Sequence, residues 1–165
     1  MEVIFMEIRT ALPTDAAALA AVEAECFPAA EAASLASITA RVAAYPKHFW
    51  LLFDGETLVG FVNGMVTDEP DLRDEMYDDA SLHNENGAWQ MIFGLDTIPA
   101  YRRRGCAGML LQHAIDESRA QGRRGLVLTC KDHLVHYYAK FGFVNEGFTG
   151  STHGGVNWNQ MRLTF

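Results

Sequence analysis

A strand, an amphipathic helix and a second strand follow one another between residues 88 and 130. The run AWQMIFGLDTI (88–98) is typical of a strand, and the helix after it is expected to reach about Gln121, with Gly122 as its C-cap. RGLVLTC (124–130) is short and almost continuously apolar, as expected of a buried central strand. This order predicts a mixed α/β fold with a partly parallel sheet.

The N-terminal part of the chain predicts one strand and two helices. A first strand is expected over residues 3–11, where apolar and polar residues alternate. Thr14 or Asp15 is expected to cap a helix that Pro28 ends, and Ser34 is expected to open a second helix. The remaining segments complete the order βααββ, loop, βαβαββ.

The middle and the end of the chain predict a hairpin, a loop, a short helix and two closing strands. HFWLLF (48–53) and TLVGFVNGMVT (57–67) flank the turn signal DGE. Residues 68–86 are polar, acidic and too long for a tight turn, which makes them a candidate functional loop. The short helix is expected in HLVHYYAKFGF (133–143), and the strands in FVNEGFTG (143–150) and NWNQMRLTF (157–165).

Composition limits the class of protein. With 165 residues, 49% of them hydrophobic, the chain is expected to form a single domain over residues 1–165. Its net charge of −8 argues against a general binder of nucleic acids or anionic membranes. No apolar run reaches the roughly 20 residues of a membrane span, and the start has no basic leader, so a cytoplasmic protein is expected. Cys26, Cys106 and Cys130 form no CxxC pair and predict neither a disulfide framework nor a zinc site.

The turn YRRRGCAGMLL (101–111) concentrates positive charge where the helix begins. The first N–H groups of a helix have no partner within it and attract anions. Gly105, Ala107 and Gly108 let a phosphate approach the backbone, and the three arginines 102–104 add charge at the rim. The spacing is neither a dinucleotide GxGxxG nor a P-loop. The alternative is a solvated helix entrance whose small residues pack against a strand.

At this turn the sequence resembles the GCN5-related N-acetyltransferases (GNAT). Arg102, Gly105 and Ala107 match the signature (Q/R)xxGx(G/A), and YYAKFGF follows at the expected distance. LTCKDHLVHYYAKFGFVNEG and GETLVGFVNGMV resemble most the arylalkylamine N-acetyltransferases of that superfamily. The resemblance covers nearly the whole chain. It implies a mixed, partly parallel sheet of about seven strands, flanked by helices and splayed between the fourth and fifth strands (88–98 and 125–130).

The resemblance also implies acetyl-CoA as the acetyl donor. The strand before the turn would bind the acetyl carbonyl and the pantetheine arm through its backbone, with Gly94 allowing the distortion. A backbone N–H there would stabilise the oxyanion. The residues implied in cofactor binding are Leu95, Asp96, Thr97, Arg102, Arg103, Arg104, Gly105, Cys106, Ala107 and Gly108.

Tyr138 matches the general acid that protonates the departing thiolate in the family. Tyr137 is expected to point elsewhere on the same helix. The alternative is that both rings belong to the core, because Leu134, Tyr138 and Phe141 share one helical face. One ring can serve both roles.

The base is where the sequence departs from its relatives. Met91 and Phe93 occupy the positions of the two histidines that deprotonate the amine in arylalkylamine acetyltransferases. An apolar acceptor pocket lined by these residues, Trp89 and Met65 is one interpretation, and core packing is the other. The candidate bases are His83, Glu85, Glu23, Glu25, Asp96 and His136, and for most of them a solvated surface position is expected. His133 and His136 are interpreted as a surface pair rather than metal ligands, and Cys130 as inert core.

The resulting hypothesis is direct transfer of an acetyl group from acetyl-CoA to a primary amine of a small molecule, arylalkylamine-like or otherwise cationic. Two alternatives stay open, namely acetylation of a protein or peptide amino group, and a catalytically idle acyl-CoA-binding domain. The expected partners are acetyl-CoA and the amine, without nucleic acid or membrane. A homodimer is left open.

Overall fold

The nine strands of the protein form two sheets in the described residues, 6–151 and 153–165 of a computed structural model. The first sheet has the order β1-β2-β3-β6 and the second the order β4-β5-β7-β9-β8. The bounds are β1 Met6–Thr10, β2 Phe49–Asp54, β3 Thr57–Asn63, β4 Val66–Thr67, β5 Trp89–Ile92, β6 Gly94–Thr97, β7 Gly125–Cys130, β8 Val144–Phe148 and β9 Asn159–Thr164. The predicted first strand is observed from Met6, and its residues 3–5 lie outside the described residues.

The predicted strand over residues 88–98 consists of two strands that belong to different sheets. β5 pairs in parallel with β7 as far as Ile92 opposite Leu128. β6 pairs antiparallel with β3, from Gly94 opposite Asn63 to Thr97 opposite Gly60. The break falls at Phe93. After Ile92 the chain stops pairing with β7 and continues as β6 in the other sheet. The fourth and fifth predicted strands therefore diverge and leave a cleft between the sheets, as expected.

Five α-helices cover the sheets in the described part of the chain. They are α1 Ala16–Cys26, α2 Leu35–Ala44, α3 Glu75–Asp78, α4 Cys106–Ala120 and α5 Val135–Ala139. The Ser34 side chain accepts a hydrogen bond from the backbone N–H of Ser37 and caps α2 as predicted. Asp15 is the N-cap residue of α1 as predicted, but its side chain does not cap the helix, because the carboxylate instead accepts from the Leu12 N–H and pairs with Arg9. The loop 68–86 contains α3, which the sequence did not predict.

Two hydrophobic clusters hold the layers together. One joins α1 and α2 to the sheets through fully buried residues such as Leu19, Ile38 and Phe61. The other packs α4 against the opposite face through Leu110 and Leu111. Each cluster includes residues of both sheets, so the sheets are held together on both faces.

The helices and the cysteines bear on two further expectations. Among residues 6–151 and 153–165, no helix combines the length and apolarity needed to cross a membrane. The three cysteines, all within the described residues, are free thiols.

Candidate active site

The turn before α4 has the backbone of an anion-binding site. Arg103 and Gly105 adopt left-handed conformations, with φ of 63° and 79°. Gly105 is the N-cap of α4, and a Cβ there would meet nothing within 4 Å. The N–H groups that begin α4 therefore face open space next to the positive end of the helix dipole.

A cleft of about 320 Å³ lies beside this turn. Its walls come from the turn, the start of α4, β6 and the end of α1. They comprise Cys26, Phe27, Leu95, Thr97, Tyr101, Arg102, Arg103, Gly105, Cys106, Ala107, Gly108 and Tyr137. The cleft thus brings together most of the residues to which the sequence assigned cofactor binding.

The three arginines take different positions. Arg102 and Arg103 line the cleft, and Arg102 Nε donates a hydrogen bond to the carbonyl of Thr97 at 3.2 Å. Arg104 stacks on the ring of Tyr101, 5.0 Å from its centroid, and does not line the cleft. Two of the three predicted rim arginines are therefore available to an anion.

The exposed edge of β6 follows the alternation of a strand. Leu95 and Thr97 line the cleft, whereas Asp96 is fully buried and lines neither cavity described here. The Thr97 carbonyl also accepts from Cys26 Sγ at 3.3 Å. Leu95 is consequently the residue of β6 that reaches both cavities.

A larger cavity of about 980 Å³ continues from the cleft and shares Leu95, Arg102 and Arg103 with it. It lies between the end of α1, the start of α2, the loop that contains α3, the end of β7 and α5. Its walls include Glu23, Phe27, Glu31, Arg41, Asp74, Tyr77, Phe93, Thr129, Lys131, Tyr138, His153 and Trp158. The candidate functional loop thus contributes Asp74 and Tyr77 to the site.

Tyr138 lines the larger cavity and is 9% exposed. Burial raises its pKa above the ordinary value of a phenol, so the hydroxyl keeps its proton at neutral pH. The ring also packs on Phe143, with 6.0 Å between centroids, so it serves the core as well. Tyr137 lines the smaller cleft instead, as its predicted different orientation requires.

Aromatic rings form the far wall of the larger cavity. Phe93 lies 4.8 Å from Tyr77 between centroids, and Tyr77 stacks on His153 at 5.9 Å. The Tyr77 hydroxyl shares a hydrogen bond of 3.1 Å with Thr129 Oγ1. Met91, Trp89 and Met65 are buried in the core and do not line the cavity, so the pocket interpretation fits Phe93 alone.

The predicted surface position of Glu23 is wrong. Its side chain lines the larger cavity and the residue is 7% exposed, with Oε2 accepting the Ala33 N–H at 2.9 Å. Glu25 and His136 are exposed and line neither cavity. The Ala-rich sequence of α1 hid this burial, because alanines on every side leave no apolar face that marks the inward positions.

His83 and Glu85 belong to a separate cluster around the buried His48. Glu85 accepts from His48 Nε2 at 2.9 Å and from Arg123 Nη2 at 3.1 Å. Ligand atoms of His48, His83 and Glu85 lie within 4.8 Å of one another, the distance expected for metal ligands. However, His83 Nδ1 accepts the Val66 N–H, which leaves the proton on the Nε2 that faces Glu85, so this ring is not free to bind a metal there.

Sequence reasoning missed Arg41, Tyr77 and Trp158 as cavity residues. Arg41 is 4% exposed and donates through Nη2 to the Tyr77 carbonyl at 2.9 Å. Its guanidinium lies 5.1 Å from the centroid of Phe93. A buried arginine in mid-helix gives no signal in a single sequence, since helical arginines usually face solvent.

Known proteins resemble the chain over nearly its whole length. The acetyltransferase (GNAT) family model matches residues 16–143. Serotonin N-acetyltransferase of Mesocricetus auratus is 27% identical over 170 residues, which cover 96% of this chain and 77% of that relative.

Two solved structures show the same fold. A GNAT-like decarboxylase, GphF, in complex with isobutyryl-CoA is 24% identical with a TM-score of 0.83, and the match covers 96% of this chain and 98% of that one. The loading GNATL domain of CurA from Lyngbya majuscula is 15% identical with a TM-score of 0.84, covering 97% and 98%.

These matches confirm the family and the fold class that the sequence implied, because the family model spans most of the chain and the two solved structures share its fold. Acetyl-CoA is the donor that this family implies. The chain belongs to the acetyltransferase (GNAT) family, and it is an N-acetyltransferase.

Proposed function

We propose that the protein transfers an acetyl group from acetyl-CoA directly to the primary amine of a small molecule that carries an aromatic or a second cationic group. The observation that carries this proposal is the cavity of about 980 Å³ beyond the cleft, because it combines aromatic walls with a buried carboxylate. Donor and acceptor would meet where the two spaces share Leu95.

On the donor side, the residues of the turn hold the diphosphate. The backbone N–H groups from Gly105 onward supply unpaired donors, and Arg102 and Arg103 add positive charge at the edge. No side chain at Gly105 obstructs the approach of the phosphates. The pantetheine arm would then follow β6 toward the larger cavity.

The chemical step needs a donor for the oxygen of the thioester. Leu95 lies on the strand edge that faces the cleft, so its backbone N–H is the group we assign to this oxygen. In other enzymes the loss of one such donor costs about 3 kcal/mol in activation free energy. Because this hydrogen-bond donor is a backbone N–H group, replacing the Leu95 side chain does not remove it.

The leaving thiolate needs a proton, and Tyr138 is the group we assign to supply it. Its burial keeps the phenol protonated at neutral pH, so the hydroxyl can donate to the sulfur as the C–S bond breaks. The amine forms its C–N bond in the same ternary complex, without an acyl-enzyme.

On the acceptor side, Phe93, Tyr77 and Trp158 offer flat apolar surfaces to an aromatic or alkyl group. Glu23 places negative charge near the point where the amine must attack. Asp74 and Asp78 extend that charge along the rim of the same cavity, which favours cationic acceptors.

The test is release of CoA thiol from acetyl-CoA with a panel of arylalkylamines, polyamines and a short peptide with a free N-terminus. We expect turnover with small amines and little with the peptide. Tyr138→Phe is expected to lower kcat about 10²-fold while the Kd of acetyl-CoA, measured by calorimetry, changes less than threefold.

Three results would contradict the proposal. Turnover confined to the peptide would favour the protein-acetylating alternative. Tight binding of CoA without turnover of any amine would favour an idle domain. Unchanged kcat in Tyr138→Phe would remove this residue from the mechanism.

A further inference from the structure

Two acidic side chains converge next to the larger cavity, where Glu23 lines the wall and Asp96 is buried behind it. Glu23 comes from α1 and Asp96 from β6, and they are 7% and 0% exposed. A Cβ on Gly94 would lie 3.0 Å from Asp96 Oδ1 and 3.6 Å from Glu23 Oε1. Both carboxyl groups therefore border the space that this glycine leaves open, and Gly94 itself lines the cavity.

The carboxyl group of Asp96 is buried without a hydrogen bond to the described residues. Neither of its carboxyl oxygens has a partner among the described residues, although both are shielded from solvent. Burial, and then the adjacent Glu23 carboxylate, raise the pKa of Asp96 well above its ordinary value. Two carboxyl groups this close and this buried do not both ionise. The Asp96 carboxyl group is therefore biased toward its protonated form.

Titratable groups from four helices surround this pair. They are Cys26 on α1, Arg41 on α2, Tyr77 on α3 and Tyr138 on α5. Arg41 is the positive charge among them, and its Nη1 donates to Asn63 Oδ1 at 3.3 Å beside the pair. A single negative charge on the pair is thereby balanced within the same buried region.

The other carboxylates of the cavity either have a hydrogen-bond or ion-pair partner or are exposed to solvent. Glu31 is paired with Lys131 at 2.8 Å. Asp74 accepts the hydroxyl of Ser151 with both oxygens at 3.0 Å, and Asp78 is exposed at the rim. Glu23 uses only Oε2, for the Ala33 N–H, so Oε1 keeps its lone pairs for a substrate or a water.

We propose that Glu23 is the base of the acetyl transfer and that Asp96 is a positioning residue whose carboxyl group lies next to that of Glu23. This inference rests on the proposed function. As the amine nitrogen bonds to the thioester carbon, it becomes strongly acidic, and Glu23 takes its proton directly or through one water. The C–S bond breaks, Tyr138 gives its proton to the sulfur, and the proton held by Glu23 restores the phenol. Amine and thioester thus become amide and thiol without a net change in protons.

The experiment compares Glu23→Gln with Glu25→Gln. Both changes remove one carboxylate from α1, but Glu25 is exposed and lies outside the cavity. Glu23→Gln is expected to lower kcat about 10²-fold while the Kd of acetyl-CoA is kept. Glu25→Gln is expected to behave as the wild type in both measurements. A wild-type kcat in Glu23→Gln would overturn the proposal, even where amine acetylation itself is established.

A second measurement judges the pair without turnover. Carboxyl ¹³C NMR would follow the titration of Asp96, assigned by the signal that Asp96→Asn removes. We expect the pKa of Asp96 to lie above that of an ordinary carboxyl group in the wild type, and to fall in Glu23→Gln because the neighbouring carboxylate is lost. If Asp96 titrates as an ordinary carboxyl group, or if its titration is the same in both proteins, the pair is overturned. Failure of the proposed function shows separately, as absence of amine acetylation by the wild type.

Discussion

Asp96 makes the stability of the protein depend on pH in a direction unusual for a carboxylate. An acid whose pKa is higher in the folded than in the unfolded state binds more protons when folded. Its contribution to stability is therefore complete below the unfolded pKa of about 4 and is lost as the pH rises toward the folded pKa. Burial and Glu23, which raise the pKa of Asp96, set this direction.

At the scale of this residue we predict that Asp96→Asn changes the Tm in a pH-dependent way. Asparagine carries no proton to lose on unfolding, so the Tm of the variant minus that of the wild type is expected to rise from pH 4 to pH 8, by a few degrees. Thermal unfolding followed by circular dichroism measures this. The exposed Glu25→Gln serves as the control, with a difference that stays flat across the range. A flat difference for Asp96→Asn as well would contradict the buried protonated state.

At the scale of elements, we propose that the turn and α4 form one anion-binding unit. The strand β6 presents Leu95 and Thr97 to the cleft, the 3₁₀ turn Pro99–Tyr101 redirects the chain, and Gly105 opens α4. Because the free N–H groups belong to the first turn of the helix, an added negative charge there competes with the diphosphate for the same donors.

We predict that Gly105→Glu abolishes measurable binding of CoA while the domain stays folded. Calorimetry with CoA and a thermal melt of each protein are the measurements. Gly122→Glu is the matched control, because Gly122 ends the same helix with φ of 80° and also has nothing within 4 Å of a Cβ. Both variants carry similar backbone strain of about 1–2 kcal/mol, so the melts should be similar. Retained affinity in Gly105→Glu, or equal loss in Gly122→Glu, would refute the assignment.

Elements with strong local signals were predictable, and those set by tertiary packing were not. The apolar run of β7, the Ser34 cap and Gly122 after α4 follow from neighbouring residues alone. The break between β5 and β6 depends on which partner each half pairs with, and that choice is invisible in AWQMIFGLDTI. Glu23 and Arg41 are buried because α1 and α2 pack together around the same cavity. The pattern of residues within one helix does not record such packing.

At the scale of the whole molecule, two sheets that share one hydrophobic cluster on each face diverge along β6. The larger cavity collects residues from α1, α2, α3, β7 and α5, and the smaller cleft collects them from β6 and α4. We therefore expect the donor to bind in the cleft and the acceptor in the larger cavity, and the two to meet at Leu95. The proposed direct transfer in a ternary complex would use this arrangement, since neither substrate would have to leave before the other binds.

A crystal structure of the protein with CoA tests this account most directly. We predict density for the diphosphate against the backbone N–H groups of residues 104–108, a pantetheine arm along β6, and the sulfur within hydrogen-bonding distance of Tyr138 Oη. Density for the diphosphate elsewhere, or a sulfur that points away from the cavity containing Glu23 and Tyr138, would contradict it.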